Sequence, residues 1–168
     1  MIFLRDLKNI FSLEGRVIVI TGAAGLLGQK HAEIIATYGG YPILLDLSKD
    51  VVEKMADKLN KKYSVKASGY AVDITDESQI KSNTSLIVGK YGKIDGLVNN
   101  AANNPKIEEN LVKNFSRLEN FQLDDWNKDI AVGLTGAFLC AKHYGYQISK
   151  NLKGGVIVNI SSDLGLIS

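Results

Sequence analysis

Three glycines at even spacing, Gly22, Gly25 and Gly28, lie between an apolar β-branched run at 17–20 and a helical pattern that continues to about Tyr38. A strand that turns through glycines into a helix has the means to hold a phosphate. Glycine takes turn angles that other residues avoid, and bare backbone lets a pyrophosphate approach closely. The helix then offers unpaired N–H groups and the positive end of its dipole. Asp46 stands eighteen residues after Gly28, near the roughly twenty expected of an acid that accepts both hydroxyls of an adenosine ribose. Its carboxylate would repel a 2′-phosphate, and no basic residue stands beside it or in the glycine turn. The reading is a dinucleotide site that takes NAD in preference to NADP. The plain alternative for Asp46 is a turn cap.

The elements that must position these residues alternate along the chain. Apolar runs predict strands at 17–20, 43–45, 65–72, 94–98 and 156–160. Helices are expected from the glycine turn to Gly39 and Gly40, from about 50 to Lys62, from Asp76 to near Gly92, and from Asp124 to about Asn151. Asp50 and Glu53 have the spacing of a capping box. Residues 1–15 read as an amphipathic lead-in, and 103–123 as a long polar loop with a helical turn around 111–118. Alternating strands and helices mean βαβ units, a parallel sheet and right-handed crossovers. Ligands of such sheets bind beyond the carboxyl ends of the strands. Those ends carry 22–28, Asp46, Asp73, 99–102 and Ser162.

Composition narrows the class. The 168 residues suit one domain over 1–168, 45% apolar and 23% charged. With 20 basic against 18 acidic residues the net charge is +2, which gives no electrostatic reason to expect nucleic acid or an anionic membrane. The lone cysteine, Cys140, cannot form an internal disulfide, and two scattered histidines, His31 and His143, suggest no metal site. No apolar stretch is long enough to span a bilayer, and the charged N-terminus makes a poor signal peptide, so a cytoplasmic location is expected.

The motifs Thr21-Gly22 to Gly28, Asp73-Ile74, Asn99 to Ala102 and Asn159 to Ser162 follow in order, each at a strand end. In this the chain resembles the short-chain dehydrogenase/reductase family over nearly its whole length. The resemblance implies a doubly wound α/β domain of the Rossmann type, with five parallel strands in the order 3-2-1-4-5 and helices on both faces. It implies an NAD-dependent oxidoreductase that interconverts an alcohol and a ketone by hydride transfer, on a sugar or polyol. The expected cofactor-binding set is Gly22, Ala24, Gly25, Leu26, Leu27 and Gly28 on the first turn, then Asp46. Asp73 and Ile74 would meet the adenine. Asn99, Asn100 and Ala101 would line the cofactor channel, with Ile160 beside them. Ser162 would bind and orient the substrate oxygen, its plain alternative being a cap on the fifth strand. A homodimer or tetramer is implied, and small residues Gly133, Gly136, Ala137, Cys140 and Ala141 suit close helix packing.

The chain departs from the family pattern in three places. Leu26 stands where short members usually have the middle glycine, and the even glycine spacing is more typical of nucleotide-sugar epimerases and dehydratases. Gly133 stands where the family usually has an asparagine that supports a proton relay. The Tyr-x-x-x-Lys pair that moves the proton is expected a dozen or so residues after Ser162, beyond Ser168. Tyr146 and Lys150 match that pattern as text, but they precede the fifth strand at the wrong end of the domain and read as packing and solvated charge. The 168 residues are therefore expected to be inactive by themselves, against on the order of 250 in a complete domain of this size class. The rival readings are a nucleotide-sugar epimerase or dehydratase that uses NAD transiently, and a non-catalytic NAD-binding protein. The loop at 103–123, with Lys106, Glu108, Glu109, Lys113 and Arg117, is where substrate identity is expected to lie.

Overall fold

A computed structural model describes residues 10–103 and 117–162. Five parallel strands form one sheet: β1 (Val17–Thr21), β2 (Tyr41–Asp46), β3 (Ser68–Ala71), β4 (Gly96–Asn99) and β5 (Val156–Asn159). Their order is β3-β2-β1-β4-β5, as the family resemblance implies. β1 sits at the centre with every residue buried, which explains its continuous apolar run. The helices are α1 (Leu26–Thr37), α2 (Lys49–Tyr63), α3 (Glu77–Tyr91), α4 (Leu123–Ile130) and α5 (Ala137–Ser149). On one face, Ile18, Ile20 and Leu44 pack with Ala32, Ile35 and Val52 of α1 and α2. On the other, Val19, Ile43 and Leu97 pack with Ile80, Ile87, Cys140 and Tyr144 of α3 and α5.

Asp95 fastens the amino ends of the two central strands. It is 5% exposed, accepts the Val17 N–H at 2.9 Å, and meets Arg16 and Lys93 at 2.9 Å each. Burial works to raise its pKa, but the Val17 N–H and the Lys93 and Arg16 cations outweigh that and hold the carboxyl below its ordinary range.

Several expectations need correction. The helix from Asp124 is interrupted: Ala131–Gly136 forms a π-helical segment that joins α4 to α5, and Gly133 lies inside it. Asp50 and Glu53 are not a capping box, because α2 begins at Lys49 with Ser48 as its cap position. Asp76 is a true cap, accepting the N–H groups of Ser78 at 2.8 Å and Gln79 at 3.3 Å. β3 is shorter than 65–72, and β5 ends at Asn159 rather than Ile160. Tyr146 is not a packing residue: it is 61% exposed, with the Lys150 ammonium 4.1 Å from its ring centroid. The next turn is tied to the amino end of β4, where Asn151 Nδ2 donates to the Ile94 carbonyl at 2.7 Å. That placement keeps Tyr146 and Lys150 away from the carboxyl edge. The helical turn around 111–118 and the charged positions Lys106, Glu108, Glu109 and Lys113 fall almost entirely outside the described residues, which resume at Arg117. No helix among the described residues is long and apolar enough to cross a membrane.

Candidate cofactor site at the carboxyl edge of the sheet

The chain leaves β1 through Gly22, whose φ of +62° is the left-handed conformation that favours glycine. A Cβ on Gly22 would lie 2.8 Å from the Ala101 Cα. A Cβ on Gly28 would meet the Gly22 carbonyl and lie 2.7 Å from the Ala23 Cα. The first and last glycines thus let the turn fold flat against the loop after β4 and let α1 start close beneath it. Gly25 is the N-cap of α1, and no side chain caps that helix. Residues 25–27 are exposed, Leu26 at 81% and Leu27 at 54%. An uncapped helix start, exposed beside glycines that cannot carry a Cβ, is a cradle for an anionic group with apolar surface around it. A dinucleotide pyrophosphate fits this set.

Thr21 locks the turn to β4. Its Oγ1 accepts the N–H groups of Asn100 and Ala101, both at 3.0 Å, and Asn100 Nδ2 donates to the carbonyls of Thr21 (3.0 Å) and Gly22 (3.1 Å). Sequence reasoning took Thr21 only as the start of the glycine motif. Its burial at the junction of two strands was the missing signal.

Asp46 ends β2 beside the turn. Its Oδ2 accepts the Ala24 N–H at 2.9 Å and its Oδ1 the Leu47 N–H at 2.8 Å. Two backbone donors fix the carboxylate at the mouth of the turn, and Leu47, 73% exposed, stands next to it. Leu47 was not singled out from the sequence; an apolar residue left in solvent is its only mark.

The remaining expected residues gather on the same edge with differing accessibility. Asp73 uses its carboxylate locally, accepting from the Thr75 N–H (2.9 Å) and hydroxyl (2.7 Å). Ile74 is buried and directed toward Gly136, so its backbone rather than its side chain is available. Asn99 is buried; its Nδ2 donates to Asn159 Oδ1 at 2.8 Å and to the Ala137 carbonyl at 3.3 Å, joining the ends of β4 and β5 to α5. Ile160 donates its N–H to the Asn99 carbonyl at 2.9 Å, and the exposed Ser162 follows two residues later. Gly133 is exposed, and a Cβ there would meet nothing within 4 Å.

Comparison with known proteins agrees with this geometry. A family model described as short chain dehydrogenase matches residues 16–168. The chain is 34% identical over 153 residues to the uncharacterized oxidoreductase YxbG of Bacillus subtilis, covering 91% of this chain and 52% of that protein. It is 28% identical over 159 residues to an NADP-dependent mannitol dehydrogenase of Alternaria alternata, covering 93% and 56%. Among solved structures, NAD+-bound xylitol dehydrogenase superposes with a TM-score of 0.80 at 28% identity, over 93% of this chain and 56% of that one. The chain thus spans about half the length of the curated relatives it matches.

Proposed function

The chain belongs to the short-chain dehydrogenase family, and on that footing we propose that it works as an NAD-dependent oxidoreductase interconverting an alcohol and a ketone, with a polyol as the substrate class. The observation that carries the cofactor reading is the Asp46 carboxylate, held by the Ala24 and Leu47 N–H groups at the mouth of the glycine turn. There it accepts from a ribose diol and repels a 2′-phosphate. The polyol reading is supported by the mannitol and xylitol dehydrogenases among the similar proteins.

The bound nicotinamide supplies the hydride chemistry. The chain's own groups bind and orient. The first turn of α1 receives the pyrophosphate, the backbone of Asp73 and Ile74 meets the adenine, and Asn99 to Ala101 with Ile160 line the channel. Ser162 holds the substrate oxygen by hydrogen bonding at the end of β5. Proton transfer falls to a group other than Tyr146, which lies on the surface of α5 toward the opposite edge.

Isothermal titration with NADH and NADPH tests this reading. Tighter binding of NADH is expected. Equal or tighter binding of NADPH would overturn the assignment to Asp46, and absence of heat with either would overturn the site. Oxidation of xylitol, mannitol or threitol with NAD, followed at the absorbance of NADH, tests the substrate class.

A further inference from the structure

In a parallel sheet joined by crossover helices, the strands start and the connecting helices end at one edge. Here that amino edge comprises the last turns of α1, α2, α3 and α5 and the segments that lead into the strands. The net charge of +2 hides how unevenly the two edges are charged. Lys61 and Lys62 stand in the last turn of α2, and Lys90 in that of α3. Arg16, Lys66, Lys93 and Lys153 lie in the segments before β1, β3, β4 and β5, and Lys150 directly follows α5. Against these eight cations, the carboxylates among the described residues of this edge are Glu14 and Asp95. The carboxyl edge is the reverse. There the first turns of α2, α3 and α4 hold Asp50, Glu77, Asp124 and Asp125, beside Asp46 and Asp73, with Lys49 opposing them. A cation in the last turn of a helix complements its dipole. That accounts for Lys61, Lys62 and Lys90, and not for the four that lie between helix and strand.

Three of the eight cations are engaged. Arg16 and Lys93 share Asp95, and Lys62 reaches Glu33 at 2.8 Å. The other five, Lys61, Lys66, Lys90, Lys150 and Lys153, meet no carboxylate among the described residues. They run from the start of β3 to the start of β5, the two outer strands, which lie roughly 19 Å apart at the usual strand spacing. Asn60 of α2 accepts the Ala67 N–H at 2.6 Å and donates to the Ala67 carbonyl at 3.1 Å, which holds the neighbouring Lys66 at the end of that helix. Four tyrosines share the edge, each with a lysine ammonium over its ring. Lys66 lies 5.8 Å from the Tyr41 centroid, Lys62 4.9 Å from Tyr63, Lys90 5.3 Å from Tyr91 and Lys150 4.1 Å from Tyr146. Two large apolar side chains also stand in solvent here: Phe11, 60% exposed beside the Tyr38 ring, and Leu152, fully exposed before β5.

We propose that the amino edge docks on an anionic lipid bilayer, its five unengaged lysines meeting the headgroups and Phe11 and Leu152 entering the interface. Charge complementarity carries the choice of an anionic partner, and a plane reaches cations spread along the whole row of strand starts. Tyrosine and lysine beside exposed apolar side chains suit a membrane–water interface. Single-stranded nucleic acid fits less well. It stacks bases on open aromatic faces, whereas lysines cover these rings, and it gains nothing from Leu152. Docked in this way, the chain turns its acidic carboxyl edge to the solution. The surface is separate from the cofactor reading and stands or falls without it.

The test is cosedimentation of the full chain with vesicles. Saturable binding is expected to vesicles of equal parts phosphatidylglycerol and phosphatidylcholine, and none to phosphatidylcholine alone. Raising the salt from about 0.1 to about 1 M, which shortens the Debye length from about 10 to about 3 Å, releases the chain. Lys61→Glu with Lys153→Glu weakens the partition about 25-fold or more, at about fivefold for each cation near an anionic surface. Lys49→Glu with Lys128→Glu makes the same change in net charge away from the amino edge and leaves the partition unchanged. Phe11→Ser with Leu152→Ser weakens it about tenfold. Equal loss in the two lysine variants reduces the effect to net charge and overturns the proposal. So does equal binding to neutral vesicles, or no binding to anionic ones at about 0.1 M salt. An undiminished partition of the Phe11/Leu152 variant overturns insertion, and with it the choice of a bilayer over another polyanion. A labelled oligothymidine that binds where anionic vesicles do not would give the edge to nucleic acid.

Discussion

Asp46 Oδ2 accepts the backbone N–H of Ala24 at 2.9 Å, tying the end of the second strand to the inside of the glycine turn. On the proposed reading, the acid assigned to the ribose is thus also part of the turn assigned to the phosphates. Replacing it disturbs both. Asp46→Ala is expected to weaken NADH binding about 10–100-fold, the range for losing hydrogen bonds to a charged group. NADPH binding is expected to weaken less, because the repulsion of a 2′-phosphate disappears with the charge. Titration calorimetry with both cofactors checks the ratio.

Gly22→Ala meets two obstacles at once. The residue sits at φ +62°, and its new methyl group would lie 2.8 Å from the Ala101 Cα. A loss of about 2–3 kcal/mol of stability is expected, together with loss of measurable NADH affinity, since the turn can relax only by moving away from Ala101. Urea unfolding and cofactor titration on the same sample report the two effects.

The π-helical segment gives a pair of opposite outcomes. A Cβ at Gly133 meets nothing within 4 Å, whereas one at Gly136 lies 2.7 Å from Ile74 Cδ1. Gly133→Ala is expected to stabilise by about 0.5–1 kcal/mol, through the reduced entropy of the unfolded chain. Gly136→Ala is expected to cost about 1–3 kcal/mol by overpacking against Ile74. Thermal melting of the two variants side by side decides it.

Tyr144 is fully buried, and its hydroxyl donates to Asn83 Oδ1 at 2.8 Å. Tyr144→Phe removes the donor and leaves an amide oxygen buried without it. The expected cost is about 1–3 kcal/mol. Asn83→Leu in the same background is expected to recover part of that loss, and a double-mutant cycle in urea measures the coupling.

Stability is expected to fall on acidification. The Ser78 and Gln79 side chains hold Asp76 at about 2, and Lys142 and His143 hold Glu77 at about 2; Asp95 is also held low. A carboxyl depressed in the folded state supports folding above its ordinary pKa of about 4 and gives up that support as pH falls through the folded value. The urea midpoint is therefore expected to drop between about pH 4 and pH 2. Asp95→Asn is expected to begin less stable at neutral pH and to show a shallower decline, because it leaves the Val17 N–H with a weaker acceptor and has no proton to gain.

Much of the architecture was legible because it follows from repetition. Apolar β-branched runs alternating with helical patterns predict the parallel sheet, the family resemblance implies its strand order, and the interval from Gly28 to Asp46 places the acid at the turn. What the sequence hid depends on contacts between distant segments. The π-helical segment at Ala131–Gly136 has no periodicity of its own: one residue too many is taken up inside an otherwise helical pattern. The spacing of Asp50 and Glu53 suits a cap, but Ser48 marks the start of the helix two residues earlier. Thr21 looked like a preface to the glycines, and its two accepted N–H bonds come from residues that follow β4. The pairing of Asn60 with Ala67 shows no signature in composition at all.

Gly22 and Ala101 are 79 positions apart along the chain, yet neither has room to move without the other. A nascent polypeptide that has not yet emerged past residue 101 lacks the wall against which its first turn is shaped. On the proposed reading, competence to hold the dinucleotide should then arise only once residue 101 has emerged, in one step with docking of β4, rather than building up as the amino-terminal strands form.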